Sequence, residues 1–238
     1  MREILTTAEL ATVSAGDPII SWAGQGLRPG VRAWYDGDAV AVASPELSKR
    51  DRLAVAGPAD AVARLAVEVY AEVGTSFRPF GDEQLIRDLA DRVPGLSFSA
   101  AFGWMDTASL PVVTTTARWL DGDTGVEALL AEAAPSSYAW PGRSGVRRWA
   151  AVTGDGGELL SVAADAWSAP ELGFLAGVAT RPVARGKGLS AQVCGFVTSE
   201  LMKRHGRVGL MVDRDNATAI ALYSRLGYSY RPVAAAHV

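Results

Sequence analysis

In the first half of the chain, hydrophobic positions follow two different periods. Two β-prone runs flank Asp36-Gly37-Asp38, and an Asp-Gly turn between such runs is typical of a β-hairpin, here over residues 31–44. Apolar residues then keep helical spacing between a proline and a glycine, which predicts a helix over Pro58–Val73 that ends at Gly74. The same reasoning predicts two further strands, at residues 52–56 and 96–104, and a second helix at residues 82–92.

The second half shows a loosely similar order of elements. Residues 106–111 are small and turn-forming, so we place a domain boundary there, between residues 1–110 and 111–238. The run 172–180 is almost wholly apolar, as expected for a strand buried on both faces. Strands are predicted at residues 112–120, 146–153, 158–167, 172–180, 208–212 and 228–233, and helices at residues 124–133, 189–205 and 216–226.

Composition narrows the class of protein. The chain has 238 residues, 49% hydrophobic and 21% charged, which is the usual mixture of a globular protein of one or two domains. One cysteine, Cys194, excludes an intramolecular disulfide and a Cys-based zinc site, and two histidines argue against a His-rich metal centre. There is no pattern of a secretory signal and no apolar run near the roughly 18 residues of a membrane helix. We therefore expect a cytoplasmic protein, without membrane partners, as a monomer or homodimer.

Charge is informative only locally. The net charge is -3, whereas non-specific nucleic-acid binding requires a strongly basic surface. The second half nevertheless carries a slight excess of basic residues, which fits a pocket for a phosphorylated ligand better.

A glycine loop precedes the predicted helix 189–205. Gly186 and Gly188 let the backbone turn tightly and approach a ligand, and the helix start presents free N–H groups to it. Arg185 and Lys187 add positive charge. This arrangement is typical of a phosphate site, although a plain strand-to-helix turn with solvated basic residues remains open. The loop matches neither the P-loop pattern nor the dinucleotide-binding pattern.

Two motifs together resemble one known family, the GNAT superfamily of N-acetyltransferases. The resemblance is clear over residues 146–238 and extends plausibly back to Val112. Its first motif, Arg185-Gly186-Lys187-Gly188-Leu189-Ser190, is similar to the family's pyrophosphate loop Arg/Gln-x-x-Gly-x-Gly/Ala. The second motif, similar to the family's Asn-x-x-Ala-x-x-Leu-Tyr-x-x-Leu-Gly-Phe/Tyr, is formed by Asn216, Ala219, Leu222, Tyr223, Leu226, Gly227 and Tyr228.

The resemblance implies a fold and a reaction. The fold is α/β in the α+β sense, with a mixed, mainly antiparallel sheet flanked by helices. Residues 111–238 would form the acetyltransferase domain. The parallel order of elements in the two halves predicts that residues 1–110 form a degenerate GNAT-like domain that has lost its cofactor loop at Gly57-Pro58-Ala59-Asp60, and the alternative is an unrelated α/β appendage. The implied donor is acetyl-CoA and the acceptor a small-molecule amine, with no metal. A regulatory module that binds CoA or another nucleotide without turnover, and a protein N-acetyltransferase, are the alternatives.

The resemblance also assigns roles to residues. Tyr223 would be the general acid that protonates the CoA thiolate, and Asn216 would lie near the thioester, seven residues earlier on the same side of the helix. Each has a purely structural alternative: core packing for Tyr223, and helix capping for Asn216. The pantetheine arm would pair with the backbone of Val178, Ala179 and Thr180, and the pyrophosphate with the amides of Gly186, Lys187, Gly188, Leu189, Ser190 and Ala191.

The sequence departs from the family pattern at three positions. Ser190 replaces the last Gly/Ala of the loop, and Phe174 and Met211 stand where family members often carry a glutamate base. The acceptor amine would then lose its proton to another carboxylate or through a water molecule, or an amine of low pKa would need no base. The candidate carboxylates are Glu171, Asp213 and Asp165. Three other side chains attract attention: Trp140 as a wall of the acceptor site, Cys194 as a buried inert thiol, and His205 as a helix-end cation without a catalytic role.

Overall fold

The structure is a computed structural model that describes all 238 residues. Its strands are β1 (Arg2–Ile4), β2 (Arg32–Asp36), β3 (Ala39–Leu47), β4 (Arg50–Ala56), β5 (Arg78–Asp82), β6 (Ser97–Thr107), β7 (Arg118–Trp119), β8 (Val146–Thr153), β9 (Leu159–Ala166), β10 (Gly173–Thr180), β11 (Val208–Val212) and β12 (Ser229–His237). Its helices are α1 (Thr7–Val13), α2 (Pro18–Gly24), α3 (Ala59–Val73), α4 (Glu83–Arg92), α5 (Val126–Ala133), α6 (Leu189–His205) and α7 (Ala217–Arg225).

All strands join one twelve-stranded sheet, in the order β1-β2-β3-β4-β5-β12-β6-β11-β10-β9-β8-β7. The two halves repeat the same pairings. In the first half β1 to β4 pair in antiparallel succession and β4 pairs with β5 in parallel; in the second half β7 to β10 and then β11 do the same. The sheet is thus mixed and mainly antiparallel, as the sequence predicts.

The last strand of each half is exchanged. β6, which ends the first half, pairs with β11 of the second half, and β12, which ends the second half, pairs with β5 of the first. The two exchanged strands also pair with each other over nine residue pairs, from Ser229↔Asp106 to His237↔Ser97. Each half therefore completes the other's sheet.

Hydrophobic side chains form three clusters on the two faces of the sheet. One cluster of 28 buried residues joins α1, α2 and α5, so it spans both halves. On the opposite face, α3 and α4 cover the first half and α6 and α7 cover the second, in two clusters of 17 residues each. The shared cluster is the main apolar connection between the halves.

Several predicted elements differ from the structure. The predicted strand at residues 112–120 is wrong: only Arg118–Trp119 pairs, because the preceding residues run along α6, where Thr115 Oγ1 donates to the Gln192 carbonyl. The short elements β1, α1, α2 and β5 were not predicted. The last strand continues to His237 rather than ending at 233, because β5 pairs with it as far as Ala235 and β6 as far as His237.

Candidate functional site

A gap opens between two parallel strands in the second half. β10 and β11 pair only at Gly173↔Val208 and Phe174↔Gly209, and beyond these residues the strands separate. β10 stays paired with β9, apart from a bulge between Ala176 and Ala179. The bulge contains Gly177 at φ +62°, where a Cβ would lie 2.5 Å from the Trp149 ring, so only glycine fits. The free edge of β10 thus presents backbone groups to the gap.

The glycine loop lies at the open end of this gap. Gly186 and Gly188 have φ values of +77° and +74°, and a Cβ built on either would meet no heavy atom within 4 Å. α6 begins directly after Gly188 without a side-chain cap. Its first amides therefore lie behind an open loop that carries two exposed cations, Lys187 and Arg185, and the Arg185 guanidinium donates to the Thr180 carbonyl at 3.3 Å. The residues present fit a pyrophosphate group.

Hydrogen bonds connect the loop to the strands beneath it. Ser161 Oγ lies 2.8 Å from Thr180 Oγ1, which lies 2.9 Å from Ser190 Oγ, so three hydroxyls join β9, β10 and the start of α6. The departure at Ser190 thus has a local explanation, since glycine or alanine could not make this bond. Arg181 adds a 2.6 Å ion pair with Glu132 of α5.

Tyr223 is buried in the apolar cluster beneath α6 and α7. It shares a cluster with Leu175 and Leu210, the first residues beyond the paired parts of β10 and β11. Burial raises the pKa of its phenol well above the usual value, so the hydroxyl keeps its proton at neutral pH. Burial also raises the pKa of the neighbouring Cys194 thiol to about 12, which makes this cysteine inert.

Asn216 is exposed and caps α7, where its Oδ1 accepts from the Ala219 amide at 3.1 Å. The helix-cap interpretation of Asn216 describes what the residue does in this structure.

Neither expected base position can take a proton. Phe174 is buried against Trp22 of α2 and Trp104 of β6, and Met211 packs against the same shared cluster. Of the three carboxylates considered as bases, Asp165 is fully buried, accepts from Ser168 Oγ at 2.6 Å and pairs with Arg148 at 3.5 Å. Glu171 is exposed beside the paired end of β10, and Asp213 is exposed after β11, at the open end of the gap. The structure does not bring the three carboxylates together.

The counterpart in the first half lies between β4 and β5. A cavity of about 220 Å³ there is bordered by Asp17, Asp82 and Arg231, and Arg231 pairs with Asp17 at 2.8 Å. A Cβ on Gly57 would lie 2.4 Å from the Asp38 carbonyl oxygen, so the loop of the first half is closed against backbone where that of the second half is open. Asp60 occupies the first turn of α3.

The other side chains considered have structural positions. Trp140 is half-buried and donates from Nε1 to the Ser137 carbonyl at 2.7 Å. His205 Nδ1 lies 2.9 Å from the Pro170 carbonyl oxygen at the end of α6. No group of three or more His, Cys, Asp or Glu side chains could hold a metal ion, and none of the helices combines the length and hydrophobicity that crossing a membrane requires.

Sequence reasoning did not identify Trp22 or Ser161. Trp22 lies on a seven-residue helix and stacks on Phe174. In the sequence it is one tryptophan in a short apolar run, which does not indicate this contact. Ser161 lies in an apolar strand, and nothing in the sequence relates it to Thr180 or Ser190.

Comparisons with known proteins agree on the fold. Residues 155–235 match the family model described as FR47-like protein, which is GNAT-related, while no curated protein matches the chain. A GCN5-related N-acetyltransferase from Kribbella flavida is 20% identical at a TM-score of 0.61 and covers 92% of this chain and 93% of its own. A GCN5-related N-acetyltransferase from Sphaerobacter thermophilus is 18% identical at a TM-score of 0.55, covering 99% and 93%.

A third similar structure, a tandem GNAT protein from the clavulanic acid biosynthesis pathway, is 12% identical at a TM-score of 0.50 and covers 96% of this chain and 91% of its own. Its description as a tandem protein parallels the repeated order of elements seen here. The expected GNAT fold is thus confirmed, over 92% of the chain in the first of these comparisons and 99% in the second.

Proposed function

We propose that the chain is an acyl-CoA-dependent N-acyltransferase that transfers an acetyl group from acetyl-CoA to an amine of a small molecule. The observation that carries the proposal is the separation of β10 from β11 beyond Phe174↔Gly209, which is followed along the chain by an uncapped helix start behind two open glycines. Pyrophosphate needs fixed N–H donors, and a thiolate leaving group needs a proton donor.

Binding of the donor would use mostly backbone. The amides of Gly186 to Ala191 would hold the pyrophosphate, with Arg185 and Lys187 adding charge. The backbone of Val178, within the bulge, and of Ala179 and Thr180 after it would hydrogen-bond the pantetheine arm along the free edge of β10. Asn216, as the cap of α7, would fix the helix that carries Tyr223.

The chemistry is direct transfer. The amine nitrogen attacks the thioester carbonyl carbon, the C–N bond forms, and backbone N–H groups stabilise the oxyanion. The C–S bond then breaks, and Tyr223 gives its proton to the departing thiolate and regains one from solvent. The attacking amine loses its proton to a carboxylate, to water or, at low pKa, without a protein base. Asp213 is the carboxylate nearest in sequence to the open end of the gap.

A calorimetric titration with acetyl-CoA, paired with an assay of free thiol release over a set of amines, tests this proposal. Gly188→Val should abolish saturable binding, because a branched side chain would occupy the space in front of α6. Gly206→Val is the matched control: Gly206 ends the same helix at φ +75°, also with open space around its Cβ position. Equal loss in both variants, or no binding by the wild type, would contradict the proposal.

One observation favours a second function, a regulatory module that binds CoA without turnover. Trp22 covers Phe174 on the face of the sheet opposite α6, and Phe174 and Met211 leave that face without a base. Saturable binding of acetyl-CoA without thiol release for any amine tested would support this function instead.

A further inference from the structure

A second cleft lies where the two halves meet. It has a volume of about 420 Å³ and lies against Trp167, which follows β9, and the β3–β4 turn of the first half. It shares no residue with the glycine loop or with Tyr223. The Lys49 ammonium is 5.4 Å from the Tyr138 ring centroid, so the first half reaches across to the second at this point.

Positive charge dominates the cleft. Four cations line it, Lys49, Arg50, Arg78 and Arg143, and none of them forms an ion pair within the chain. Two carboxylates also line it, and the one on Asp51 accepts from the Glu46 amide at 3.0 Å. The lining thus has an excess of two positive charges.

A buried arginine, Arg52, is the strand partner of Arg78, which lines the cleft. Arg52 is 5% exposed, is directly paired with Arg78 across β4 and β5, and forms no ion pair. Its Nε donates to the Leu47 carbonyl at 3.0 Å, and the guanidinium carbon lies 5.1 Å from the Phe80 ring centroid. Burial and the charges of Arg50 and Arg78 lower its pKa to about 10.

A buried charge without a counter-ion is costly, and the Arg52 guanidinium has one hydrogen bond and the faces of Trp22 and Phe80 as its only compensation. Arg50, Arg52 and Arg78 stand at alternate or directly paired positions of β4 and β5, so all three lie on the same face of the sheet. Their mutual repulsion would be relieved by an anion in the cleft. Although Glu46 and Asp51 line the cleft, no carboxylate of the chain forms an ion pair with any of these three arginines.

We propose that this cleft binds the carboxylate or phosphate group of a small molecule between the two halves. Arginine and lysine side chains supply charge-assisted hydrogen bonds to such oxygens, and the fork of a guanidinium suits either group. Trp22 lies between Arg52 and the gap between β10 and β11. The guanidinium carbon of Arg52 is 5.9 Å from the Trp22 ring centroid, and the Trp22 ring stacks on Phe174. The proposal does not depend on the acyltransferase function.

Titration of the full chain with inorganic phosphate at low ionic strength tests the site, read by calorimetry and by the melting temperature, with sodium chloride of equal ionic strength as the blank. Arg78→Gln should weaken phosphate binding about tenfold or more, as expected for loss of a hydrogen bond to a charged group. Arg64→Gln is the matched control, because Arg64 is exposed on α3, on the opposite face, without an ion pair. A parallel titration with succinate distinguishes a carboxylate from a phosphate ligand.

Two further variants keep the test decisive. Gly188→Val should still bind phosphate in the cleft, because the glycine loop does not line the cleft. If Gly188→Val loses phosphate binding and Arg78→Gln keeps it, the phosphate binds at the glycine loop and the proposal is wrong. Glu46→Gln, an exposed change that cannot disturb the core, should strengthen binding by removing a negative charge. Equal affinities in wild type, Arg78→Gln and Glu46→Gln would also overturn the proposal.

Discussion

Trp22 of α2 lies nearly flat on Phe174 of β10, with ring centroids 4.6 Å apart and an angle of 18° between the rings. The two residues come from different halves of the chain. The Trp22 Nε1 also donates to the Trp167 carbonyl at 2.9 Å, so the same side chain makes an apolar and a polar contact with the second half. Phe174 is the last residue of β10 that pairs with β11, and the stack therefore fixes the first half over the point where the gap begins.

We expect Trp22→Ala to destabilise the whole protein by about 3–5 kcal/mol, the usual cost of removing a buried tryptophan. The side chain is fully buried in the cluster shared by both halves, so they should still unfold in one transition. Chemical denaturation followed by tryptophan fluorescence and by circular dichroism measures this.

Trp22→Phe is the control for that change. It keeps a ring on Phe174, and the Trp167 carbonyl retains its second donor, Gln25 Nε2 at 3.0 Å. The cost should be less than half that of Trp22→Ala. Equal costs would mean that the stack contributes little.

Tyr223→Phe should lower turnover on the true acceptor by about 10²–10⁴-fold, the range for a positioned general acid. Affinity for acetyl-CoA should change little, because the loop that would hold the pyrophosphate is untouched. Steady-state thiol release measures the turnover, and calorimetry measures the affinity for acetyl-CoA.

Tyr228→Phe is the comparison for Tyr223→Phe. The Tyr228 hydroxyl is 2.7 Å from Thr198 Oγ1 and its ring centroid is 5.8 Å from that of Tyr223, so this variant disturbs the same cluster without removing the proposed acid. Its turnover should remain near that of the wild type. Similar turnover losses in both variants would reduce Tyr223 to a packing role.

Stability should decline at alkaline pH. The pKa values of Cys194, Tyr223 and Tyr228 are all raised in the folded chain by burial, so these groups stay neutral there while the unfolded chain ionises. A raised pKa stabilises the fold fully below the unfolded pKa, and this contribution is lost as pH rises. The free energy of unfolding should therefore fall above about pH 8.5 and more steeply above about pH 10, where tyrosines of the unfolded chain ionise.

Tyr223→Phe should reduce the slope of the free energy of unfolding against pH, above about pH 10, by up to about 1.4 kcal/mol per pH unit, which is the contribution of one proton. Denaturation with urea at a series of pH values measures the slope. An unchanged slope in the variant would show that Tyr223 ionises as readily in the folded chain as in the unfolded one.

The sequence was sufficient for elements with strong local signals. α6 and β11 have the predicted bounds, because their ends are marked by Gly188 and Gly206. β5 was missed because its five residues include Pro79 and Gly81, which weaken a strand pattern. The exchange of β6 and β12 could not be predicted, since pairing between residues more than 120 positions apart leaves no local pattern.

The candidate site likewise has parts with a local sequence signal and parts that depend on long-range contacts. The glycine loop and the α7 motif are each continuous in sequence, and the structure has a helix start at each of them, α6 after Gly188 and α7 after Asn216. The cover of Phe174 by Trp22 depends on tertiary packing alone, and so does the cationic cleft between the halves. Hydrophobic periodicity assigns a residue to a face of its own element, but not to a partner on another element.

We expect one acetyl-CoA per chain. In the first half Gly57 is closed against the Asp38 carbonyl, and the carboxylates of Asp60 and Asp82 stand at the starts of α3 and α4, where they would repel a pyrophosphate. Calorimetric stoichiometry measures this, and Gly188→Val should leave no residual site. Two molecules bound per chain would contradict the assignment of the first half as degenerate.

The exchange of the last strands predicts that the halves cannot fold separately. Residues 1–110 alone would expose the edge of β5 that β12 covers, and β6 would lose both of its neighbours. Residues 111–238 alone would leave β12 unpaired on both sides. Each fragment should therefore lack a cooperative thermal transition or aggregate, and an equimolar mixture refolded from urea should regain the transition of the intact chain. Two soluble fragments, each monomeric and each unfolding cooperatively, would show that the exchange does not contribute to stability.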